Sequence, residues 1–468
     1  MADDSSPFIV TTPATQSLEG KRNLIRSHVM RGKNRKKLLP RPPSWINNGQ
    51  ICNLVDMDRV NCQPIPPKVG NEFSFASFST EISPHMLEAI WQLKHAMMPS
   101  QFGLASHQTE SSFFEPILND AACLHFTLFT TRVYIDSVRE KTQISKTALS
   151  HLVTSLAILR KRLACGDTAQ VISDTTILVV VGLTITATAL GDLETAVQHI
   201  KGLQKIVTLR GGISVFEGNK TLQTKIFRAD IGVALNTERQ PIFFCKEIPW
   251  DAYIPSRIAR STSAIHDPGT EATDSQTIVF DLAQFLDGID IRLRRVWDDI
   301  FEFSRAANIA LQCKLSVDPE LYQEVMVSIH YRLINLGFDM GSINETIRLT
   351  LLAFASTLFL QWGNVYNRYE LLVRKLTKSL CGLQHHVADL PTQLMLWIYI
   401  VSAVSVFDEH EQALLQPALT EVLCGMGLKS WNQVNLSLKS IIWVDSLHDQ
   451  RAKKVVQASL RELGIFHG

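Results

Sequence analysis

The sequence predicts an all-α protein, a multi-helix array of antiparallel helix pairs preceded by a disordered basic N-terminal arm. Three observations predict it. Apolar residues recur at helical spacing over most of the chain, capping residues and glycines punctuate that pattern, and strand-like alternation is nearly absent. With 46% hydrophobic and 19% charged residues, the 468-residue chain can build a large buried core, which excludes a wholly disordered protein.

Residues 1–50 hold TTPATQS, a run of basic residues and LPRPPS, compositions that resist packing and read as the arm. Residues 51–100 read as a linker with one short helix. Within SPHMLEAIWQLKHAM, Ser83 or Pro84 opens that helix, and Met86, Ile90 and Leu93 fall at i, i+4 and i+7. Residues 101–468 read as a helical body, with helices dominating from 117. Asn119 or Asp120 caps a helix through Val138, and Ser145 or Thr147 starts one through Leu163, ended by Gly166. Ser173 and Asp174 cap an apolar helix that stops at Gly191. Asp192 caps the next, where Ala196, Ile200, Leu203 and Val207 make one stripe closed by Gly211 and Gly212. The Gly-Asp turn makes these two an antiparallel pair, and a second pair is expected across 221–236. The polar stretch 259–276 reads as a surface loop. Helical periodicity returns near 278 and continues through 319–335, 343–374, Leu394–Phe407, 413–426, 431–442 and 448–464.

The formal charge of +1 is the sum of two unlike parts. Between Glu19 and Asp56 there is no acidic residue, yet Lys21, Arg22, Arg26, Arg31, Lys33, Arg35, Lys36, Lys37 and Arg41 lie there. These nine are drawn from 46 basic residues, so the remaining 37 face 45 acidic ones and leave the rest of the chain at −8. A basic arm is attached to an acidic body.

Eight cysteines, at 52, 62, 123, 165, 245, 313, 381 and 424, show neither framework spacing nor a Cys-x2-Cys pair. The pattern fits a reducing compartment and excludes a zinc finger or binuclear zinc cluster. Two apolar runs, Thr175–Gly191 with 17 residues and Leu390–Phe407 with 18, fall short of the roughly 20 apolar residues of a membrane span. They read as buried helices, so no membrane partner is expected. The opening MADDSSPFIV has no secretory-signal pattern.

Signs of catalysis are missing from the sequence. CGMGLKS at 424–430 lacks phosphate-loop spacing, and no dinucleotide fingerprint or nucleophile elbow occurs. His385 and His386 are adjacent and so point apart, and Asp408, Glu409, His410 and Glu411 read as solvated charges at a helix end. Cys165 and Cys245 have no histidine placed to activate them. No catalytic residue, metal ligand or cofactor is expected.

The strongest signal is KRNLIRSHVMRGKNRKK, residues 21–37. Lys21-Arg22, a ten-residue spacer and then Lys33, Arg35, Lys36 and Lys37 have the layout of a two-part nuclear-import signal, to be read by an import carrier. The same charges suit phosphate contact with DNA, which adds affinity without sequence reading, or a solvated tail with no partner.

His199, Gly202, Leu203, Val207, Arg210, Gly211 and Gly212, followed by Asp230, Pro241 and Phe243, make a pattern that resembles the middle of the fungal-specific transcription factor domain. NDAACLHFTLF, SDTTILVVVGLTITATALGD, LMLWIYIVSAVSVF and SLKSIIWVDSLHD, with Trp397, Trp443, Asp445 and His448, are similar to other parts of that domain. The resemblance covers about residues 100–468. Arg26 to Arg31 and then Lys33 to Lys37 resemble the N-terminal region of a subset that lacks the zinc cluster. The resemblance implies a regulatory domain whose motif residues are structural. Gly211 and Gly212 would end a helix, Gly202 would allow helices to approach closely, and His199, Asp230 and Trp443 would satisfy buried polar groups.

Members of that family that bind promoters carry six closely spaced cysteines ahead of the domain, whereas this chain has only Cys52 and Cys62 in its first hundred residues. Three readings follow. The first is a nuclear transcriptional regulator, of a metabolic or secondary-metabolite gene cluster. The second is a non-DNA-binding cofactor that pairs with other transcription regulators. The third is a small-molecule sensor or enzyme with an apolar pocket between helices.

Overall fold

The computed structural model describes residues 78, 81–97, 110–138, 143–243, 248–251, 253–254, 282–313, 317, 319–361, 368–383 and 390–462. One compact unit runs from Phe75 to Gly468, and the unit Met1–Ser74 lies outside the described residues. The basic arm, Cys52, Cys62, Cys245, the stretch 259–276 and the His385-His386 pair therefore lie outside the described residues as well. Among the described residues every regular element is a helix.

The first half begins with α1 (Pro84–Met97), α2 (Glu110–Asn119), α3 (Ala121–Val138) and α4 (Lys146–Ala164). A single turn, α5 (Thr168–Val171), leads to α6 (Asp174–Ala189), α7 (Leu193–Arg210), a 3-10 turn at Ile213–Gly218 and α8 (Lys220–Asn236). The caps fall where the sequence places them. Asp120 accepts the Ala122 and Cys123 N–H groups at 2.9 and 3.0 Å, Ser145 accepts from Ala148 at 3.3 Å, and Ser173 and Asp192 begin α6 and α7. Each cap satisfies donors that have no partner within the first helical turn. The helix α2 begins ahead of residue 117, from which helices are expected to dominate, and holds Pro116 within it.

The second half contains α9 (Ile291–Gln312), α10 (Pro319–Asn335), α11 (Ile343–Phe359) and α12 (Glu370–Leu383). It closes with α13 (Thr392–Ser405), α14 (Glu409–Gly425), α15 (Trp431–Lys439) and α16 (Asp445–Glu462). Two expectations are corrected here. The stretch 221–236 holds one continuous helix rather than a pair, since no Gly, Pro or capping residue interrupts KTLQTKIFRADIGVALN in a way that reverses the chain. The periodic run 343–374 divides, because α11 ends at its C-cap Leu360 and the next helix starts at Glu370.

Two hydrophobic clusters form the core. The first gathers α3, α6 and α7 around Phe126, Phe129, Ile177, Val181, Ile200 and Leu203. The second surrounds α11 and α13, in which every residue from Glu345 to Phe359 and from Leu394 to Ser405 is buried. Helix α8 is the wall they share: Ile226, Ala229 and Val233 enter the first cluster, whereas Ile231 and Leu235 enter the second. Among the described residues no helix is long and apolar enough to cross a membrane, which accords with reading both apolar runs as core helices.

One glycine role is corrected too. A Cβ placed on Gly202 would meet no atom within 4 Å, so no helix approaches there. The close approach is at Gly182 in α6, where an added Cβ would sit 2.1 Å from Phe126 Cε1 of α3.

Candidate functional site

The residues singled out by sequence separate into two places in the fold. Around α7 and α8, Leu203 is fully buried, and Arg210 donates to the Ile172 carbonyl at 3.0 Å while pairing with Asp174. Its guanidinium also lies 4.6 Å from the centre of the Phe216 ring. Arg210 thus ties the end of α7 to the start of α6. Gly211 and Gly212 hold φ of +115° and +95°, conformations that side chains other than glycine rarely take, and they stop α7 as the sequence predicts. His199 is half-buried and makes no hydrogen bond among the described residues, so it does not satisfy a buried polar group as expected. Burial holds its pKa below the usual imidazole range, partly offset by Asp192.

Asp230 is the centre of this region. It lies on the apolar stripe of α8, four residues after Ile226 and three before Val233, and is buried. Its carboxylate accepts the Ile242 N–H at 2.9 and 3.0 Å, the Phe243 N–H at 2.9 Å and the Tyr331 hydroxyl at 2.8 Å. Burial pushes the carboxyl upward in pKa, and these three donors work against that shift. The Pro241–Phe243 segment is therefore pinned to α8 by its own backbone, and α10 is attached to the same carboxylate.

A second carboxylate repeats the device. Asp299 of α9 lies three residues after Val296 and four before Phe303, again on an apolar stripe, and is fully buried. It accepts the Tyr253 and Ile254 N–H groups at 3.0 and 2.9 Å and pairs with the buried Arg332 of α10. The segment leading away from α8 is clipped at both 242–243 and 253–254, and both clips involve α10.

The other group of motif residues sits at the C-terminal end. Trp443 is buried, and its indole N–H donates to Asp449 at 2.8 Å, while Asn308 bridges the Trp443 carbonyl at 2.8 Å and the Asp445 N–H at 3.1 Å. Asp445 pairs with Lys439 at 2.7 Å. His448 is buried with Nε2 2.9 Å from Thr357 Oγ1, and its ring stacks on Phe354 with centroids 4.7 Å apart. Trp397 donates to the Ile442 carbonyl at 2.7 Å. The Trp397, Asn308 and Asp445 contacts close the turn between α15 and α16, while His448 joins α16 to α11.

The remaining candidates have structural explanations. CGMGLKS ends α14, with Gly427 at φ +64° and the Leu428 N–H donating to the Leu423 carbonyl at 3.0 Å. Asp408 and Glu411 form a capping box at the start of α14, and Arg368 binds Asp408 and Glu411 at 2.9 and 2.8 Å. Cys165 is the exposed C-cap of α4. Among the described residues no group of three or more His, Cys, Asp or Glu side chains is placed to hold a metal ion.

Three features escape the sequence. Tyr331 and the Asp299–Arg332 pair are among them, although a carboxylate on an apolar stripe is a legible sign of a buried acceptor. The third is His125 in α3 facing His151 in α4, with Nδ1 atoms 2.9 Å apart. Beside the Asp230 clip, a cleft of about 280 Å³ opens between α7, α8 and residues 239–242.

No family model, no curated protein and no solved structure matches the chain.

Proposed function

We propose that the chain is a nuclear transcriptional regulator of the fungal type, in which the helical body is the regulatory part and the basic arm carries the nuclear address and any phosphate contact. A metabolic or secondary-metabolite gene cluster is the proposed target. The reading rests on the sequence resemblance. Its main structural support is the Asp230 clip, because the Asp and the Pro-x-Phe that stand apart in the sequence motif are joined by two backbone N–H groups, those of Ile242 and Phe243, donating to the carboxylate. A motif whose members meet in space has a physical reason to recur as a unit.

The second reading, a cofactor that acts through a DNA-binding partner, is favoured by the cysteine pattern. With only Cys52 and Cys62 in the first hundred residues, the chain lacks the ligands of a binuclear zinc cluster. A cationic segment neutralises phosphates, whereas reading base edges needs a helix or ribbon held in a groove.

Two measurements test these readings. A fluorescent fusion should accumulate in the nucleus, and replacing Lys33, Arg35, Lys36 and Lys37 with Ala should leave it in the cytoplasm. A variant that stays nuclear removes the address from the arm. Genome-wide occupancy together with gel shifts of purified full-length protein should show discrete sites and sequence preference for a direct regulator. Salt-sensitive binding without preference selects the cofactor reading.

A further inference from the structure

The cleft beside Asp230 is walled by Val197 and Ile200 from α7 and by Val233 and Ala234 from α8, all four buried. Its lining also includes two exposed cations, Lys201 and Arg239, and neither enters an ion pair among the described residues. The Asp230 carboxylate borders the cleft, yet its acceptor positions are taken by Ile242, Phe243 and Tyr331. Two cations against the one Asp230 carboxylate leave the lining at a formal charge of +1, in a chain whose residues other than the arm's nine cations sum to −8. A volume of about 280 Å³ is at the lower limit of small-molecule pockets and below that of drug-sized sites.

We propose that this cleft binds a small organic anion, an apolar body of about ten heavy atoms carrying one carboxylate, with Lys201 and Arg239 holding the carboxylate and the aliphatic walls holding the rest. The site also has a built-in connection. Ile242 lines the cleft and has its N–H on Asp230, and Asp230 binds Tyr331 in the second hydrophobic cluster. A ligand pressed against Ile242 favours the clipped arrangement and so stabilises the junction of the two clusters. Binding of this kind belongs to the helical body and stands whether or not the chain enters a nucleus or meets DNA.

The test uses purified full-length protein without DNA at low salt. Octanoate and benzoate are compared with octanamide and benzamide, which keep the shape and remove the charge, by calorimetric titration and thermal shift. Each acid should bind about tenfold or more tightly than its amide, the ratio expected of one charge-assisted hydrogen bond. Lys201→Gln and Arg239→Gln together should bring the acid down to the affinity of the amide while the unliganded melting temperature stays put, since both side chains are exposed. The proposal is overturned if neither acid binds, if acid and amide bind alike, or if the double variant keeps the preference. Loss of nuclear import or of DNA occupancy would leave each of these outcomes unchanged, so the two readings fail separately.

Discussion

The Tyr331 hydroxyl donates to Asp230 Oδ2 at 2.8 Å across 101 residues of chain, and this bond fastens α10 to the carboxylate that also pins residues 242 and 243 to α8. Tyr331 belongs to the second hydrophobic cluster, and Phe243 to the first. One buried side chain thus holds donors from both.

Removal of the hydroxyl and removal of the carboxylate should differ. Tyr331→Phe loses one hydrogen bond to a charged acceptor and should cost about 1.5–3 kcal/mol in urea unfolding. Asp230→Ala leaves the Ile242 N–H, the Phe243 N–H and the Tyr331 hydroxyl without their acceptor, and should cost about 3 kcal/mol or more. Equal losses for the two variants would mean that the backbone clip contributes nothing beyond the tyrosine.

The Asp299–Arg332 pair allows a sharper test. Arg332 is 1% exposed and Asp299 is fully buried, so removing either partner strands the other charge, at a cost of about 3–5 kcal/mol. Asp299 also holds the Tyr253 and Ile254 N–H groups. Asp299→Ala should therefore cost more than Arg332→Met, and the double variant should cost less than the sum. Additive losses in a double-mutant cycle would show the two charges to be uncoupled.

What the sequence makes legible and what it hides have the same physical origin. Helix ends are local: Ser145, Ser173, Asp192 and the glycines at 191, 211 and 212 act within one turn, so composition alone places them. The buried carboxylates are only half local. Their position on an apolar stripe is readable, but their partners are not, because Tyr331 and Arg332 meet them across 101 and 33 residues. Close approach between helices is not local at all. Nothing around Gly182 distinguishes it from Gly202 until α3 is packed against α6 and Phe126 meets it. The cleft is hidden for the same reason, as Lys201 and Arg239 come together only when residues 239–242 turn back along α7 and α8.

Those two glycines should respond in opposite directions to the same substitution. In Gly182→Ala the new methyl would overlap the buried Phe126 ring, and overpacking of this kind costs about 1–3 kcal/mol. Gly202→Ala adds a methyl to open space in the interior of α7 and should stabilise by about 0.5–1 kcal/mol through helix propensity. Thermal melts of the two single variants decide it, and a destabilised Gly202→Ala would restore the close contact expected from the sequence.

Acid should weaken this fold through its buried histidines. Burial pushes His330 down to about 4 and His448 to about 3, and it lowers His125 and His151 as well, so in the folded state these rings stay neutral where free imidazole at 6.5 would charge. The folded pKa lies below the unfolded one, so the unfolded chain binds more protons in that window. The contribution is complete above 6.5 and is lost as pH falls toward the folded values. Glu411, held down to about 2 by the hydrogen bond from Arg368, has the same sign, but its contribution is lost only below 4.5. The interval between 6.5 and 4.5 lies above the range in which Glu411 loses its contribution, whereas Asp230, Asp298 and Asp449, whose pKa values burial raises, act with the opposite sign to the histidines. Urea midpoints should fall steadily across it. In His448→Gln the midpoint should start lower, because contacts with Thr357 and Phe354 are lost, and should fall less steeply. An unchanged slope in that variant would remove His448 from the acid response. His125→Gln tests the other site: with a single imidazole left at the α3–α4 contact, no second cation can form beside it, and the slope should again flatten.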